Sequence, residues 1–428
     1  MRSSGGWLNT RRAALGALMS LVLVLTSCTS LSRQTLIVWH SLRGGPARAL
    51  ETLIDQWNAR GNAYVVAEYR ESGSQHAALL DVIEADARRP DLVLASAQQT
   101  AIYQQRGALL PLDRFIDGPE GFKPNDKADL FPFVLNAGKT PAGEVIALPM
   151  GGDARVMYVN KAWLDDQRLT IPETWEQFDA VCDSVSERTV DLPCLGTVAD
   201  DVVLQEWLLS HGLRVLSLSG SAQLTAPEVE AVLLPLLNRR GADQLVLGVS
   251  EQQIRDAFAA GQLVFVFDWS SGLGRVDERS RLNDNTNWVV APLPATAGVP
   301  SSIQRANYWV IPKQPADDSA HPHAWRFLRW LYEQEQTAQW SLDTNELPVR
   351  ISAISRLDAD RLPRGFLSVV QQIGARTQGE PLLETWPCAR DTLATTAIEL
   401  LNTDVYTEVL RRGQLALEAV LYTDCPAR

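Results

Sequence analysis

Apolar and polar positions alternate between two periods along this chain. Leu36-Ile37-Val38-Trp39 is an apolar run of strand length, and Gly44-Gly45-Pro46 closes it. Leu50, Leu53, Ile54 and Trp57 then recur at helical spacing, with Pro46 suited to the first turn. Ala63 to Tyr69 reads as a second strand. His76 to Arg88 reads as a helix carrying Leu79, Leu80 and Ile83, and Asp91 to Leu94 as a third strand. Strand, helix, strand, helix, strand is the order of an α/β unit with a parallel sheet.

The alternation returns in the second half. Thr174 and Gln177 have the spacing of a capping box before the apolar face of Trp175, Phe178, Val181 and Val185. Ser250 and Gln253 repeat it before Ile254, Ala257 and Phe258, and Gly261 ends that helix. Leu263 to Phe267 suits a central strand. Ala324 to Leu342 reads as one helix carrying Trp325, Leu328, Leu331 and Tyr332. No repeat, low-complexity stretch or long linker interrupts the pattern, which fits two α/β lobes sharing one chain.

The amino terminus follows neither period. Arg2, Arg11 and Arg12 precede an uncharged run from Ala13 to Leu25, too short to span a bilayer but suited to the core of a signal peptide. Thr10-Arg11-Arg12 leaves Sec and twin-arginine export both open. Leu25-Thr26-Ser27-Cys28 resembles a bacterial lipobox, which makes 1–27 a leader, Cys28 the lipidated residue and 28–34 a tether. Localisation is then extracytoplasmic, with the membrane reached through the lipid on Cys28. Removing 27 of 428 residues leaves 401, enough for two or three domains. Losing three arginines and no acid takes the formal charge from −12 to −15, which argues against nucleic acid as a partner.

Beyond Cys28 the chain has Cys182, Cys194, Cys388 and Cys425. Three pairings are open, of which Cys182–Cys194 with Cys388–Cys425 is the most local. Disulfides persist outside the cytoplasm. Metal ligation is the other use, but CxxC spacing and a nearby histidine are both missing. No metal and no cofactor is expected.

Short motifs in a fixed order point to a family. They include Val38-Trp39-His40, Arg89-Pro90-Asp91-Leu92-Val93, Gly107-Ala108-Leu109-Leu110-Pro111-Leu112-Asp113, Ala147-Leu148-Pro149, and Met157-Tyr158-Val159-Asn160-Lys161. Pro172-Glu173-Thr174-Trp175, Phe267-Asp268-Trp269-Ser270-Ser271-Gly272 and Leu347-Pro348-Val349-Arg350 follow. Taken in order, over nearly the whole mature chain, they resemble the extracellular solute-binding proteins of sugar-type ABC importers, the group of maltose-binding and glycerol-3-phosphate-binding proteins. The resemblance implies a type II periplasmic-binding-protein fold, two hinged α/β lobes, a ligand in the cleft, and a permease that meets the closed form. By analogy one lobe holds 35–153 and 292–338, and the other holds 154–291 and 339–428. A monomer is expected.

Sugar binding needs aromatic faces and polar side chains that match hydroxyls. Trp57, Trp163, Trp175, Trp325 and Trp330 sit at core spacing. Trp39 and His40 end the first strand, where open α/β sheets place ligands. Trp269, Ser270 and Ser271 follow a buried strand at a turn. Asn307, Tyr308 and Trp309 open another strand. Asp153 follows Gly151-Gly152 near the expected crossover, and Trp207 is a core or platform residue.

The resemblance to glycerol-3-phosphate binders can be followed residue by residue. Gln75 stands where that group has a tyrosine, Ala97 where it has a glutamate, and Glu346 where it has a second tyrosine. Ser270 and Ser271 keep its serine pair, and Arg376 matches its phosphate-side arginine. Glu346 would repel a phosphate unless paired, for instance with Arg376. Asp153 and Glu346 together favour a neutral, hydroxyl-rich ligand or a cationic one, so a carbohydrate is expected, with a glycerophosphodiester as the alternative. GxSxG and HExxH are missing, so a binding protein is expected here and not an enzyme.

Overall fold

The computed structural model describes residues 34–61, 63–140, 142–188, 192–217, 220–316, 321–374, 376–422 and 425. The expected leader, Cys28 and the tether to residue 33 lie outside them. No helix of the described residues is long and apolar enough to cross a membrane.

Two sheets organise the chain. The first has the order β2-β1-β3-β11-β4, from Thr35–His40 (β1), Tyr64–Tyr69 (β2), Leu92–Ala95 (β3), Leu148–Pro149 (β4) and Tyr308–Val310 (β11). β1 runs parallel to β2 and β3, and β11 is antiparallel to β3 and β4. Period-two alternation along β1 sends Leu36 and Val38 to one face and Trp39 to the other. Leu36 and Val38 pack with Leu50, Leu53, Ile54 and Trp57 of helix α1 (Gly44–Ala59). Trp39 packs with Leu79 of α2 (Ser72–Glu84) and Tyr103 of α3 (Ala97–Gln105).

The second sheet has the order β12-β10-β5-β8-β6-β7, with β9 also paired to β5. Its strands are Asp153–Val159 (β5), Leu195–Val198 (β6), Leu245–Gly248 (β7), Phe265–Trp269 (β8), Val289–Ala291 (β9), Ser302–Arg305 (β10) and Thr377–Gly379 (β12). β8 is buried along its whole length, as the apolar run predicts. Met157, Phe265 and Phe267 meet Trp175 and Phe178 of α4 (Trp175–Arg188) and Val203, Leu204 and Trp207 of α5 (Asp201–Ser210). The first capping box forms, with Gln177 N–H on Thr174 Oγ1 at 3.3 Å and Thr174 N–H on Gln177 Oε1 at 3.4 Å; Ser250 caps its helix through Gln253 N–H at 3.3 Å, but the Gln253 side chain takes Val249 N–H at 2.8 Å, one residue before the box position.

Three elements differ from the sequence pattern. α2 starts at Ser72 and stops at Glu84, where the backbone turns through Asp86 at φ 47°. The single helix over 324–342 is two helices, α6 (His321–Leu331) and α7 (Gln334–Thr344). Glu333 is extended at the break, and Arg350 Nε takes the Tyr332 carbonyl that a continuous helix would use. Ser302–Arg305 pairs with β5 and β12 in the second sheet, so the return to the first sheet falls at 306–307 and not at 292. α7 packs on α1, which keeps the chain beside the first sheet to Thr344 and not only to 338.

Two disulfides join Cys182 to Cys194 and Cys388 to Cys425, with Cα separations of 5.3 and 5.9 Å. The local pairing is therefore the one adopted.

Candidate functional site

β1, β2 and β3 run parallel and end together at His40, Tyr69 and Ala95, the sheet edge where α/β folds collect ligands. The chain leaves this sheet at Pro149, turns through Met150-Gly151-Gly152 and enters the second at Asp153. It returns between Arg305 and Tyr308, and a third segment crosses after Thr344, where Leu347 N–H donates to the Gly152 carbonyl at 2.7 Å. The candidate site is built on these passages.

Asp153 stands at its centre, half-buried. Its Oδ1 accepts from Ser270 Oγ at 2.7 Å and from Ser271 N–H at 2.8 Å, while Ser270 Oγ accepts from Ala154 N–H at 3.1 Å. Burial pushes the Asp153 carboxyl pKa up, the two serines oppose that shift, and the Asp268 charge adds to it. Ser270 is thus a support for the carboxylate, whereas Ser271 and Asn307 are exposed.

Glu346 lies next to Asp153, half-buried, with its Oε2 accepting from Trp340 Nε1–H at 3.0 Å. Burial pushes its carboxyl up to about 7, the Trp340 donor opposes this, and the charge of Asp153 raises it further. Among the described residues Arg376, offered as a partner for Glu346, makes no ion pair with it; Arg376 is exposed, and its carbonyl accepts from Ser301 N–H at 3.0 Å. A carboxyl that holds its proton to higher pH in the folded chain destabilises the fold as pH rises from about 4.5 through 7. Melting temperature should therefore fall across that window. Glu346→Gln should remove the fall, a gain on the order of 1–3 kcal/mol at pH 8. Parallel melting curves for both proteins from pH 5 to 8 would refute this.

Several expected contacts are packed away. Trp207 is in the second core, its Nε1–H on the Val232 carbonyl at 2.7 Å and its ring 4.2 Å from that of Trp175. Trp309 is in the first core, with its N–H on the Met150 sulfur at 2.8 Å. Both rings are core, because the apolar neighbours that bury them leave no face for a ligand. Tyr308 is also buried, with its hydroxyl pKa raised by burial and the Glu380 charge. Trp269 is buried with Arg305 and Arg155 over its ring, 4.4 and 5.3 Å from the centroid, so the expected stacking face is covered.

At the edge of the first sheet Arg70 covers the Trp39 ring at 3.9 Å, and burial lowers the His40 pKa. Gln75 donates to the Leu94 carbonyl at 2.9 Å. Trp39 Nε1, His40 Nδ1 and Gln75 Oε1 are nevertheless buried without a hydrogen-bond partner. Such atoms are uncommon in native folds, and here they gather at one strand edge.

Sequence reasoning missed the other half of the site. Arg305 bridges Asp201 at 3.0 Å and Glu380 at 3.2 Å, and Arg390 reaches Asp201 at 2.7 Å. Gln304 is fully buried against Gly152. The signal was Ser301, Ser302, Gln304 and Arg305, polar residues around one isoleucine just before Asn307. Tyr69, half exposed at the end of β2 and hydrogen-bonded to Arg43 at 2.7 Å, was also passed over. A cavity of about 790 Å³ lies alongside, between Phe133 and Ala137 on one wall and Gln205, Ile303, Glu380 and Trp386 on the other. It reaches neither Asp153, Ser271, Asn307 nor Glu346, but Glu380 and Ile303 on its wall place it beside the Arg305 cluster.

Comparison with known proteins fits this architecture. The family model described as bacterial extracellular solute-binding protein matches residues 44–338. The sn-glycerol-3-phosphate-binding periplasmic protein of Salmonella typhimurium is 21% identical over 375 residues, 81% of this chain and 80% of that protein. Its counterpart in Escherichia coli K12 is 21% identical over 341 residues, covering 74% and 75%. The sugar-binding protein MalE of Xanthomonas citri superposes with a TM-score of 0.78 at 16% identity, over 91% of this chain and 97% of that one. The cyclic alpha-maltosyl-1,6-maltose binding protein of Arthrobacter globiformis gives 0.74 at 18% identity, over 91% and 99%.

Proposed function

This chain belongs to the bacterial extracellular solute-binding proteins that serve sugar-type ABC importers, and from that premise we propose that it binds a carbohydrate between its lobes and delivers it to the importer's membrane subunits. The observation that carries the choice of ligand is the chemistry at the passages. Asp153 and Glu346 offer carboxylate acceptors beside exposed Ser271 and Asn307, while Arg305 is already committed to Asp201 and Glu380. Hydroxyls suit that set. A phosphate would meet two carboxylates, which weighs against glycerol 3-phosphate even though relatives 21% identical are named for it.

The lobes are proposed to divide at the three passages, near 150–152, 306–307 and 345–347. A ligand touching both sides binds the closed form better, and that difference shifts the hinge equilibrium. Cys28 is proposed to carry the lipid that holds the protein at the membrane. Cys28→Ser should then move it to the soluble fraction, and a membrane-bound variant would end that proposal.

The ligand is tested by thermal melting against mono- and disaccharides, polyols and glycerophosphodiesters. A sugar at 100 times its Kd should add about 2.7 kcal/mol. Asp153→Asn should weaken that sugar by about tenfold to a hundredfold, because a charged acceptor is lost. A shift with phosphodiesters alone would overturn the carbohydrate reading.

A further inference from the structure

The cavity of about 790 Å³ beside the Arg305 cluster has the size usual for a small-molecule site. Its lining changes from polar to apolar along two stretches of chain. On α5, Asp201 is held by Arg305 and Arg390, and Gln205 one turn on donates to the Asp201 carbonyl at 2.8 Å. Gln205 lines the cavity, and so do Leu209 a turn later and Leu213 just past the helix end. Glu380, which meets Arg305 at 3.2 Å, is followed by Pro381, Leu382 and Leu383, and all four line it. On β10, Ile303 and Arg305 share a face of the sheet. Ile303 packs with Leu209 and Trp269, and Arg305 covers the Trp269 ring. One end of the cavity therefore adjoins the charged cluster next to the second passage, and aliphatic side chains dominate the rest.

A further sugar ring would be poorly served there. The aromatic residues that line the cavity, Phe133 and Trp386, are 3% and 2% exposed, so neither offers a stacking face. Gln205 and Glu380 already hold Asp201 and Arg305. Asn136, Lys139 and Arg214 are exposed and so belong to the rim. Hydroxyls left against aliphatic walls go unpaired and cost affinity, whereas hydrocarbon gains by leaving water.

We propose that this cavity takes the aglycone of a glycoside, so that the carbohydrate bound here carries an apolar group on its anomeric oxygen. This rests on the carbohydrate reading and narrows it. The sugar occupies the polar side, toward the passages, and the hydrocarbon runs along Leu209, Leu213 and Leu383.

The test is a homologous series with the full-length protein: methyl, butyl and hexyl β-glycosides of D-glucose, D-galactose and maltose, below their micelle concentrations, beside the parent sugars and 1-hexanol. Kd is read by calorimetry and by melting shift. In at least one series Kd should tighten by about threefold to fourfold per added methylene, and by at least roughly tenfold from methyl to hexyl. Leu213→Trp and Asn136→Trp narrow the cavity from its two walls, and Asn136 is exposed, so that variant keeps the fold. Either should bring the hexyl-to-methyl ratio close to one and leave the methyl glycoside's Kd within about threefold. A methyl glycoside that binds as tightly as its hexyl homologue overturns the aglycone site and leaves the carbohydrate reading standing. A chain-length gain unchanged in both variants does the same, as does 1-hexanol binding as tightly as the hexyl glycoside. Silence from every sugar and every glycoside overturns the aglycone site and the carbohydrate reading together.

Discussion

Glu206→Ala should destabilise the protein by about 3–5 kcal/mol, the cost of leaving a buried charge without its partner. Arg155 and Glu206 are 1% and 0% exposed, and they meet through two parallel bonds, Nε to Oε2 at 2.7 Å and Nη2 to Oε1 at 3.1 Å. Arg155 also donates to the Phe267 carbonyl at 3.1 Å, which ties β5, β8 and α5 to one guanidinium. Removing the carboxylate strands that cation in the core. Replacing both residues, as Arg155→Met with Glu206→Leu, should cost much less, because no charge is then left behind. Urea unfolding of both variants measures the difference. A loss under about 1 kcal/mol for Glu206→Ala, or a double variant as damaged as the single, would contradict the account.

Loss of the Cys388–Cys425 disulfide in the Cys388→Ser, Cys425→Ser double variant should cost about 4 kcal/mol, from the chain entropy released when a loop of this length opens. The bond spans 37 residues and clamps helix Trp386–Leu400 to helix Tyr406–Leu421. These helices bury Ala389, Leu393, Ala397, Leu410 and Leu417 in the second core, so loosening one exposes the other. A fall in melting temperature of about 5 °C follows for a chain of this size. The shorter Cys182–Cys194 loop should contribute less, about 3 kcal/mol. A double variant that melts with the parent would show that helix packing alone holds this end.

The elements most legible in the sequence were those whose signals are local. β1, α1, the helix caps at Thr174 and Ser250 and the buried run that became β8 depend on spacing within a dozen residues, and all formed. Asp153 and Glu346 could be singled out, but their neighbours could not. Trp340 lies inside an apolar helical pattern, and nothing in that pattern says its N–H reaches Glu346 beyond the helix end. Gln304 and Arg305 look like surface polar residues until β10 is known to pair with β5. Trp207 and Trp309 were ambiguous for the opposite reason: an indole at core spacing and an indole at a cleft have the same sequence signature, and only packing separates them. The split of helix 324–342 depends on Arg350, which no period could reveal.

The first sheet takes β4 from before the passage at 150–152 and β11 from long after it, and the two sheets share one interleaved chain. A single backbone cut at that passage would therefore leave two fragments that still share a sheet. The nicked protein should run as one species in a native gel and as two in detergent.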